Sequence, residues 1–258
     1  MVPTDALDVL LAPLLADPAS AAVCTDFDGT LSSIVEDPAA ARPLPGVADA
    51  LAALAERYAE VAVISGRPAS FLEPMLPAKV SIHGLYGLES VRDGVRAEHP
   101  AAAGWRAAIA DVLAAARAAD LPGTSVEDKG LSLTLHFRTA PEQAAAAVAW
   151  AEGEARRVGL HVRPARMSVE LHPPVDVDKG TVTHLVAAGL RAACFLGDDA
   201  GDLAAFGALT ELASQGVSVA RVAVRSPEAP AALLAAADAI VEGPEGALDV
   251  LQRLAAAS

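Results

Sequence analysis

The sequence predicts an α/β protein whose core is a Rossmann-like, doubly wound parallel sheet, with a smaller α+β domain (αββαββ) inserted into it. Two observations support this fold class. Short apolar runs alternate with helical segments near both ends of the chain, as in parallel sheets with crossover helices. The middle of the chain instead shows a helix followed by two strands, twice in succession. We therefore expect a core of residues 1–99 and 177–258 and an inserted domain of residues 100–176.

The first part of the core contains three apolar runs that are typical of buried strands. They cover residues 21–25, 61–64 and 80–83, with helical periodicity over residues 46–58 and a second helix after Pro68. Residues 89–95 follow, and Asp93-Gly94 within them is a typical hairpin turn. This order predicts parallel strands joined by helices, with a hairpin at the end.

The inserted domain begins with an Ala-rich helix over residues 105–119. Strands are expected at residues 125–129 and 131–137, separated only by Gly130. A helix over residues 141–157 and strands at 160–163 and 167–171 repeat the pattern. Such an order predicts a small antiparallel sheet with its helices on one face.

The α/β alternation returns in the last part of the chain. Helices are expected over residues 179–190, 203–209 and 229–236 and at the carboxyl terminus, and strands over residues 193–196, 217–224 and 239–241. We find no internal repeat and no disordered linker.

Composition restricts the partners of this protein. The 258 residues are 53% hydrophobic but only 3% aromatic, so the core must be mainly aliphatic. A formal net charge of −14 repels nucleic acid and anionic membrane surfaces, so we expect neither as a partner. A phosphorylated substrate would need locally concentrated positive charge or a metal ion.

Several features predict a cytoplasmic protein. Residues 1–22 lack a basic region and contain Asp5, Asp8 and Asp17, unlike a signal peptide, and no apolar run is long enough to span a bilayer. Cys24 and Cys194 fall on predicted buried strands without metal-binding spacing, so we expect reduced thiols. A monomer is the expected state.

The motif Asp26-Phe27-Asp28-Gly29-Thr30 follows the first buried strand. Side chains at i and i+2 share a face, so Asp26 and Asp28 emerge together at the carboxyl edge of the sheet, where α/β proteins bind ligands. Two negative charges this close cost energy unless a cation lies between them or one carboxylate is protonated. Either arrangement, a bound cation or a protonated acid, is useful for phosphoryl transfer. The alternative is an ordinary Asp-Gly turn.

Two further candidates lie at predicted strand and helix ends. Ser65 follows the second core strand and offers a hydroxyl with adjacent backbone N–H groups; its alternative is a strand-ending turn. Lys179 lies at the start of a helix, where the helix dipole disfavours a cation. This placement favours a lysine that contacts an anion over a solvated surface lysine.

A third candidate, residues 197–202, places the carboxylates of Asp198, Asp199 and Asp202 after a buried strand. One of these residues is expected to cap the following helix. Each motif is weak alone, but together they lie in order at the carboxyl ends of the predicted core strands.

The combination resembles the haloacid dehalogenase superfamily, whose motifs match here at Asp26 to Thr30, Ser65, Lys179 and residues 197–202. The resemblance implies Mg²⁺-dependent phosphoryl transfer with the inserted domain as a cap. It implies that Asp26 is the nucleophile that forms an aspartyl-phosphate, and that Asp28 protonates the leaving oxygen and then activates water. Ser65 and Lys179 would hold phosphoryl oxygens.

The same resemblance implies the remaining contacts in the core. Mg²⁺ would be bound by Asp26, Asp198 and the backbone carbonyl of Asp28. Gly66 and Arg67 are expected to contact the substrate beside Ser65. Asp199 and Asp202 are better candidates for orienting Lys179 or metal-bound waters.

Longer stretches narrow the resemblance to trehalose-6-phosphate phosphatases. They are residues 28–38, 126–138 and 167–180, and the likeness covers essentially the whole chain. It implies that Glu127, Lys129 and Glu170 bind the sugar from the cap. Glu127 and Lys129 are expected on one face of a strand. The alternative to sugar binding is that the two residues form an exposed ion pair that contributes little. His136 and Arg138 are expected to lie one step out of phase with these residues or at the end of the strand. We therefore expect them to be structural.

Two positions depart from that family. Tyr86 stands where histidine is frequent, and His172 stands where arginine is frequent before Pro173-Pro174. Trehalose 6-phosphate is therefore the expected substrate, with sucrose 6-phosphate or glucosylglycerol phosphate as alternatives. The alternative from a different functional class is a receiver-like signalling module, which is phosphorylated on an aspartate. Such modules are shorter and have no large cap.

Overall fold

The structure is a computed structural model that describes residues 6–35, 37–165, 167–226 and 229–256. Residues 1–22 were expected not to be a signal peptide, and the first five of them lie outside the described residues. The chain forms two compact units, Met1–Ala97 with Val177–Ser258, and Glu98–Asp176. We call them the first and the second unit.

Apart from the first helix, the helices and strands follow one another in the predicted order. The first stretch of the chain contains α1 (Ala6–Ala16), β1 (Ala21–Thr25), α2 (Val47–Ala55), β2 (Glu60–Ile64), α3 (Ala69–Leu72), β3 (Ser81–Gly84), β4 (Glu89–Arg92) and β5 (Val95–Glu98). The second unit contains α4 (Arg106–Ala118), β6 (Ser125–Asp128), β7 (Leu133–His136), α5 (Ala144–Val158), β8 (His161–Ala165) and β9 (Ser168–His172). The chain then continues with α6 (Lys179–Val186), β10 (Ala192–Gly197), α7 (Asp202–Ser214), β11 (Ser218–Arg225), α8 (Ala231–Ala236), β12 (Ala239–Glu242) and α9 (Gly243–Ala256).

The first unit is built on one sheet with the strand order β12-β11-β10-β1-β2-β3-β4-β5. The pairs from β12 to β3 are parallel, whereas β3 and β4 are antiparallel. The chain moves outward from β1 in one direction and returns to β10 on the other side. Open α/β sheets bind ligands at such a reversal, outside the carboxyl ends of the strands. The predicted doubly wound fold is therefore confirmed.

Both faces of this sheet are covered by helices, which explains why its central strands are apolar throughout. All residues of β1 and β10 are buried. One apolar layer contains leucines of α1, α2 and α9, and the other contains side chains of α6, α7 and α8. Burying each large aliphatic side chain stabilises the fold by about 1.5–3 kcal/mol, so these two layers contribute strongly to the stability of the first unit.

The two cysteines lie in different layers of this core. Cys194 pairs in register with Val23, so its side chain points to the face opposite to that of Cys24. Both are free and buried, and burial raises the pKa of each thiol, that of Cys194 to about 12. They are unreactive core thiols.

The second unit is a four-stranded antiparallel sheet with the order β6-β7-β9-β8. Side chains of α4 and α5 cover one face, where Ile109 and Val112 pack with Leu133, Leu135 and Leu171. The predicted αββαββ order with its helices on one face is therefore confirmed. The opposite face carries a row of polar residues in register, which are Glu127, Thr134, Glu170 and Arg163.

Some element boundaries differ from the sequence predictions. No element was predicted before β1, but α1 is present and contains Pro13, which usually interrupts a helix; Leu11 and Leu14 are fully buried and hold it in place. Helix α6 ends at Val186 instead of residue 190, because the chain turns at Gly189 in the left-handed region. Helix α7 continues to Ser214, five residues beyond the prediction, since Leu212 is buried.

The hairpin prediction is confirmed at β4 and β5. Asp93 and Gly94, with φ values of 51° and 74°, form the turn between them. None of the helices in the described part of the chain has both the length and the apolar character needed to cross a membrane.

Candidate active site

The loop after β1 brings Asp26 to the carboxyl edge of the sheet. The Asp26 N–H donates to the Leu196 carbonyl oxygen over 2.9 Å, which extends the pairing of β1 with β10. Gly29 adopts a φ of +78°, and a Cβ there would lie 2.0 Å from Asp198 Oδ2. Only glycine allows this loop to approach the Asp198 carboxylate so closely. Asp26 and Asp198 are both buried.

Lys179 is the only buried lysine among the described residues, and it is surrounded by acids. Its Nζ lies 2.9 Å from Asp26 Oδ1, 2.6 Å from Asp202 Oδ1 and 3.8 Å from Asp199 Oδ1. Asp178 caps α6 through a capping box with Thr181, which fixes the first turn that carries Lys179. The alternative of a solvated surface lysine is therefore wrong, and the ion pairs offset the unfavourable helix dipole.

Asp202 connects the acidic loop to Lys179. Its Oδ2 accepts hydrogen bonds from the N–H groups of Asp198 and Asp199 at 2.8 and 2.9 Å, while Oδ1 accepts from Lys179. The expected aspartate cap of α7 is wrong, because Gly201 is the N-cap residue and makes no side-chain cap. Asp202 instead bonds backward and shapes the loop before the helix. The exposed Asp199 carboxylate accepts from the Gly201 N–H.

Three of these carboxylates form a group that could bind a metal ion. Ligand atoms of Asp26, Asp198 and Asp202 lie within 4.8 Å of one another. Because Asp202 uses both oxygens on Lys179 and the backbone, Asp26 and Asp198 are better placed to bind a cation. The Thr30 hydroxyl donates to Asp198 Oδ1 over 3.1 Å and orients it. A hard divalent cation such as Mg²⁺ fits this all-oxygen donor set.

Burial and charge crowding shift the pKa values of the whole cluster. Burial raises the pKa of Asp26 well above its usual range, with further increases from Asp202, Asp199 and Asp198 and an opposing effect of Lys179. Burial, then Asp202 and Asp199, raise the pKa of Asp198 to about 7. The pKa of Asp202 rises to about 6, mainly through burial.

The pKa of Lys179 is also raised, although burial acts on it in the opposite direction. Burial lowers its pKa, but Asp202, Asp26 and Asp199 outweigh burial and raise the pKa well above its usual range. Lys179 is therefore permanently cationic, yet a single positive charge does not neutralise the acids around it. The remaining negative charge favours binding of a divalent cation.

The Asp28 carboxylate pairs with Arg67. The Arg67 guanidinium donates from Nε to Asp28 Oδ2 and from Nη2 to Oδ1, both at 2.7 Å. Its Nη1 donates to the Pro38 carbonyl oxygen at 2.7 Å, and its Cζ lies 4.6 Å from the Phe71 ring centroid. Arg67, expected as a substrate contact, is thus held against the second carboxylate of the motif. With its carboxylate in this pair, Asp28 could offer its backbone carbonyl to a metal ion.

Ser65 and Gly66 occupy the loop after β2, next to the same edge. Ser65 is buried, its N–H donates to the His83 carbonyl oxygen at 2.9 Å, and its Oγ accepts from the Arg67 N–H at 3.2 Å. Gly66 lies against the Tyr86 side chain. The loops that carry Asp26, Ser65, Lys179 and Asp198 thus meet in the first unit, as expected for the carboxyl ends of its strands and the adjoining helix.

The second unit contains a separate polar cluster centred on the buried Glu170. Ser132 Oγ donates to Glu170 Oε1 over 2.6 Å. Lys129 Nζ lies 3.9 Å from the same oxygen, and Arg163 Nη1 lies 3.8 Å from Oε2. Two of the three expected sugar-binding residues, Lys129 and Glu170, are thus brought together, with Ser132 and Arg163 beside them.

One expectation for this sheet is wrong, and one strand boundary differs. Strand β6 ends at Asp128, one residue before Lys129, but Lys129 Nζ reaches Glu170 on the face of the sheet that carries Glu127. His136, expected to be out of phase, is on the face of Glu127, because Glu127 pairs with Thr134 two residues before it. His136 Nε2 lies 2.8 Å from Glu127 Oε2, an ion pair when the imidazole is protonated.

The sequence matches the family model for trehalose-phosphatase over residues 24–238. This chain belongs to the trehalose-phosphatase family. It is 36% identical over 249 residues to a trehalose-phosphate phosphatase of Mycobacterium avium, a match that covers 91% of this chain and 62% of the relative. The chain therefore spans less than two thirds of that relative's length.

This chain is also similar to solved structures. The C-terminal domain of trehalose-6-phosphate phosphatase from C. albicans matches with a TM-score of 0.77 and 24% identity, covering 99% of this chain and 98% of that one. A haloacid dehalogenase-like hydrolase from Bacteroides thetaiotaomicron matches with a TM-score of 0.63 and 16% identity, covering 90% and 98%. The fold is thus that of haloacid dehalogenase-like hydrolases.

The sequence patterns did not identify several residues that the structure places in the cluster around Lys179 or in the cluster around Glu170. Thr30 belongs to the first motif but was given no role, although its hydroxyl orients Asp198. Ser132 lies between Lys129 and Thr134 without any pattern of its own, and Arg163 lies on a neighbouring strand. A register prediction pairing residue 163 with residue 170 would have identified Arg163.

His172, one of the two departures from the family pattern, is buried. Its Nδ1 lies 2.9 Å from the Pro173 carbonyl oxygen, and its ring makes an edge contact with His161. Burial, then the charge of Arg163, lower the pKa of His172. An arginine would keep its charge here, whereas the lowered pKa of His172 favours the neutral imidazole, so this position offers weaker positive charge than an arginine would.

Proposed function

We propose that this protein hydrolyses trehalose 6-phosphate to trehalose and phosphate through an aspartyl-phosphate on Asp26. The observation that carries the proposal is the contact of Lys179 Nζ with Asp26 Oδ1, at 2.9 Å, within a buried acidic cluster in a member of this family. A buried carboxylate beside a permanent cation is oriented for nucleophilic attack. Lys179 also supplies the positive charge that an incoming phosphate needs in a protein of net charge −14.

The first step transfers the phosphoryl group to Asp26. A carboxylate oxygen of Asp26 attacks phosphorus, the bond from phosphorus to the sugar oxygen breaks, and its electron pair stays on that oxygen. Asp28 donates a proton to the leaving oxygen, so trehalose departs as an alcohol. Lys179 and Ser65 hold the phosphoryl oxygens that carry the developing charge.

The second step regenerates the enzyme. Asp28 accepts a proton from water as the water oxygen attacks phosphorus, and the bond between phosphorus and the Asp26 oxygen breaks. Asp26 and Asp198, with the Asp28 carbonyl, would bind Mg²⁺. When bound, this ion neutralises the repulsion between the carboxylates and the phosphate and stabilises the transition state.

We further propose that the second unit selects the sugar. Sugar hydroxyls are recognised by carboxylates that accept their hydrogen bonds and by ammonium groups that donate to them. Glu170 and Lys129 provide such groups side by side, and Glu127 lies on the same face of the sheet as Glu170. In this proposal residues 100–176 act as a cap that recognises the sugar, and the first unit performs the chemistry.

The test is phosphate release from a panel of sugar phosphates in the presence and absence of Mg²⁺. We expect the highest kcat/KM with trehalose 6-phosphate, loss of turnover with EDTA, and no turnover by Asp26→Asn with its fold intact. Better turnover of sucrose 6-phosphate or glucosylglycerol phosphate would overturn the substrate assignment. A long-lived phosphoprotein without turnover would instead support a receiver-like module.

A further inference from the structure

The loop after β3 has an unusual backbone conformation. Leu85 and Tyr86 have φ values of 51° and 60°, and Gly87 follows with 105°. The left-handed region is unfavourable for residues with a side chain, and two such residues in succession persist only where surrounding contacts hold them. Such conformations are concentrated at functional sites. This loop lies at the carboxyl edge of the sheet, next to the loop after β2.

Hydrogen bonds tie these two loops together on both sides of Gly66. The Tyr86 N–H donates to the Ser65 carbonyl oxygen at 2.9 Å, and the Leu85 N–H donates to the Arg67 carbonyl oxygen at 3.0 Å. The left-handed turn is therefore what aligns Tyr86 with the Ser65 loop. The backbone of Tyr86 is thus fixed relative to Ser65.

Gly66 lies in close contact with the Tyr86 ring. Its φ is outside the left-handed region, so its own backbone would accept a side chain. A Cβ on Gly66 would lie 2.7 Å from Tyr86 Oη and 2.8 Å from Cζ, which is closer than such atoms approach. The hydroxyl end of Tyr86 thus lies against the Cα of Gly66, immediately beside Ser65.

The loop that carries Tyr86 also packs against helix α6, whose first residue is Lys179. A Cβ on Gly87 would lie 2.5 Å from Val182 Cγ2 of this helix. Tyr86 Oη thus lies against the loop that carries Ser65, and the Tyr86 loop contacts the helix that carries Lys179, so two segments with groups proposed to hold phosphoryl oxygens adjoin it. Tyr86 is partly exposed, so a ligand can reach it.

We propose that Tyr86 is a phosphoryl-contacting residue, whose hydroxyl donates a hydrogen bond to an oxygen of the bound phosphate ester. The inference rests on the proposed function and extends it to a residue outside the four motifs. A neutral phenol suits this position, because it can donate to an oxyanion without adding charge to the acidic cluster. Hydrogen bonds to an ionised acceptor are the stronger kind.

Tyr86→Phe tests this role, because it keeps the ring against Gly66 and removes the hydroxyl. We expect kcat/KM to fall about ten-fold for trehalose 6-phosphate and to a similar extent for p-nitrophenyl phosphate, since both contain the phosphoryl group. We also expect the Kd of inorganic phosphate, measured by calorimetry with Mg²⁺, to rise about five- to ten-fold.

The chain has one other tyrosine, which provides the matched control. The Tyr58 hydroxyl donates to the Leu254 carbonyl oxygen in the apolar core, so Tyr58→Phe removes a buried hydroxyl elsewhere. This variant should leave kcat/KM and the Kd of phosphate unchanged. Thermal unfolding of both variants verifies that their folds are intact.

The outcomes separate this inference from the proposed function. Unchanged phosphate binding and aryl phosphate turnover in Tyr86→Phe would overturn it. A loss confined to trehalose 6-phosphate would place the hydroxyl on the sugar and would also overturn it. If wild-type protein turns over no sugar phosphate but binds phosphate more tightly than Tyr86→Phe, only the proposed function fails. If wild-type protein binds no phosphate, both fail.

Discussion

Arg67 and Asp28 form a two-point ion pair, with Nε at 2.7 Å from Oδ2 and Nη2 at 2.7 Å from Oδ1. The guanidinium is fixed further by the Pro38 carbonyl oxygen and the Phe71 ring. Each of the three guanidinium nitrogens thus donates a hydrogen bond within the protein, and the pair sets the direction of the Asp28 carboxylate. We infer that Arg67 positions Asp28, the residue proposed to transfer protons, whereas the sequence suggested a substrate contact.

Arg67→Lys should therefore impair turnover more than binding. A lysine retains the charge but cannot donate to both carboxylate oxygens in one plane, so Asp28 loses its fixed orientation. We expect kcat to fall about ten-fold or more with KM for trehalose 6-phosphate changed less than three-fold, from steady-state kinetics. Arg92→Lys, at an exposed ion pair with Glu60, is the matched control. A rise in KM at constant kcat would instead indicate that Arg67 binds substrate.

Lys179→Met should reduce both activity and stability. The variant leaves Asp26 and Asp202 buried without their cation, and breaking a buried ion pair from one side destabilises proteins by about 3–5 kcal/mol. Urea unfolding without metal measures this change. Lys79→Met, which removes an exposed pair with Glu56, should change the free energy of unfolding by less than about 1 kcal/mol. Equal effects of the two variants would contradict the buried network.

The metal-free protein should lose stability as pH rises. The folded-state pKa values of Asp198 and Asp202, about 7 and about 6, lie above the unfolded value near ~3.9. Between about pH 4 and pH 7 the folded protein therefore binds more protons than the unfolded chain, and the free energy of unfolding falls through this window. Urea unfolding in EDTA at several pH values measures the slope.

Asp198→Asn should flatten this slope, because the amide does not titrate. We expect its free energy of unfolding to change less between pH 5 and pH 8 than that of wild type, by about 1 kcal/mol or more. Saturating Mg²⁺ should also raise wild-type stability most at the higher pH, since the cation binds the ionised carboxylates. An identical slope in wild type and variant would show that Asp198 does not titrate in this window.

Glu170→Ala should discriminate sugar recognition from phosphoryl chemistry. We expect KM for trehalose 6-phosphate to rise at least about ten-fold, with much less effect on p-nitrophenyl phosphate, because only the sugar would contact this carboxylate. Ser132→Ala removes the neighbour that donates to Glu170 and controls for disturbance of the cluster. Equal effects of Glu170→Ala on both substrates would place Glu170 outside the sugar site.

Much of the fold was predictable because local patterns encode it. Fully apolar strands such as β1 and β10 indicate a sheet covered on both faces, and their ends indicate where Asp26 and Asp198 emerge. The change to the αββαββ order was equally visible. Helix α1 was not, since Pro13 argues against a helix until the burial of Leu11 and Leu14 is known.

The sequence by itself determined the order of the elements, the two kinds of unit and the family to which the chain belongs. The tertiary structure alone decided which side chains meet: Arg67 with Asp28, Lys179 with three acids, Tyr86 with Gly66, and His136 with Glu127. The physical reason is that periodicity is a property of neighbouring residues. Side-chain partners depend instead on strand register and loop conformation between distant segments, which no local pattern contains.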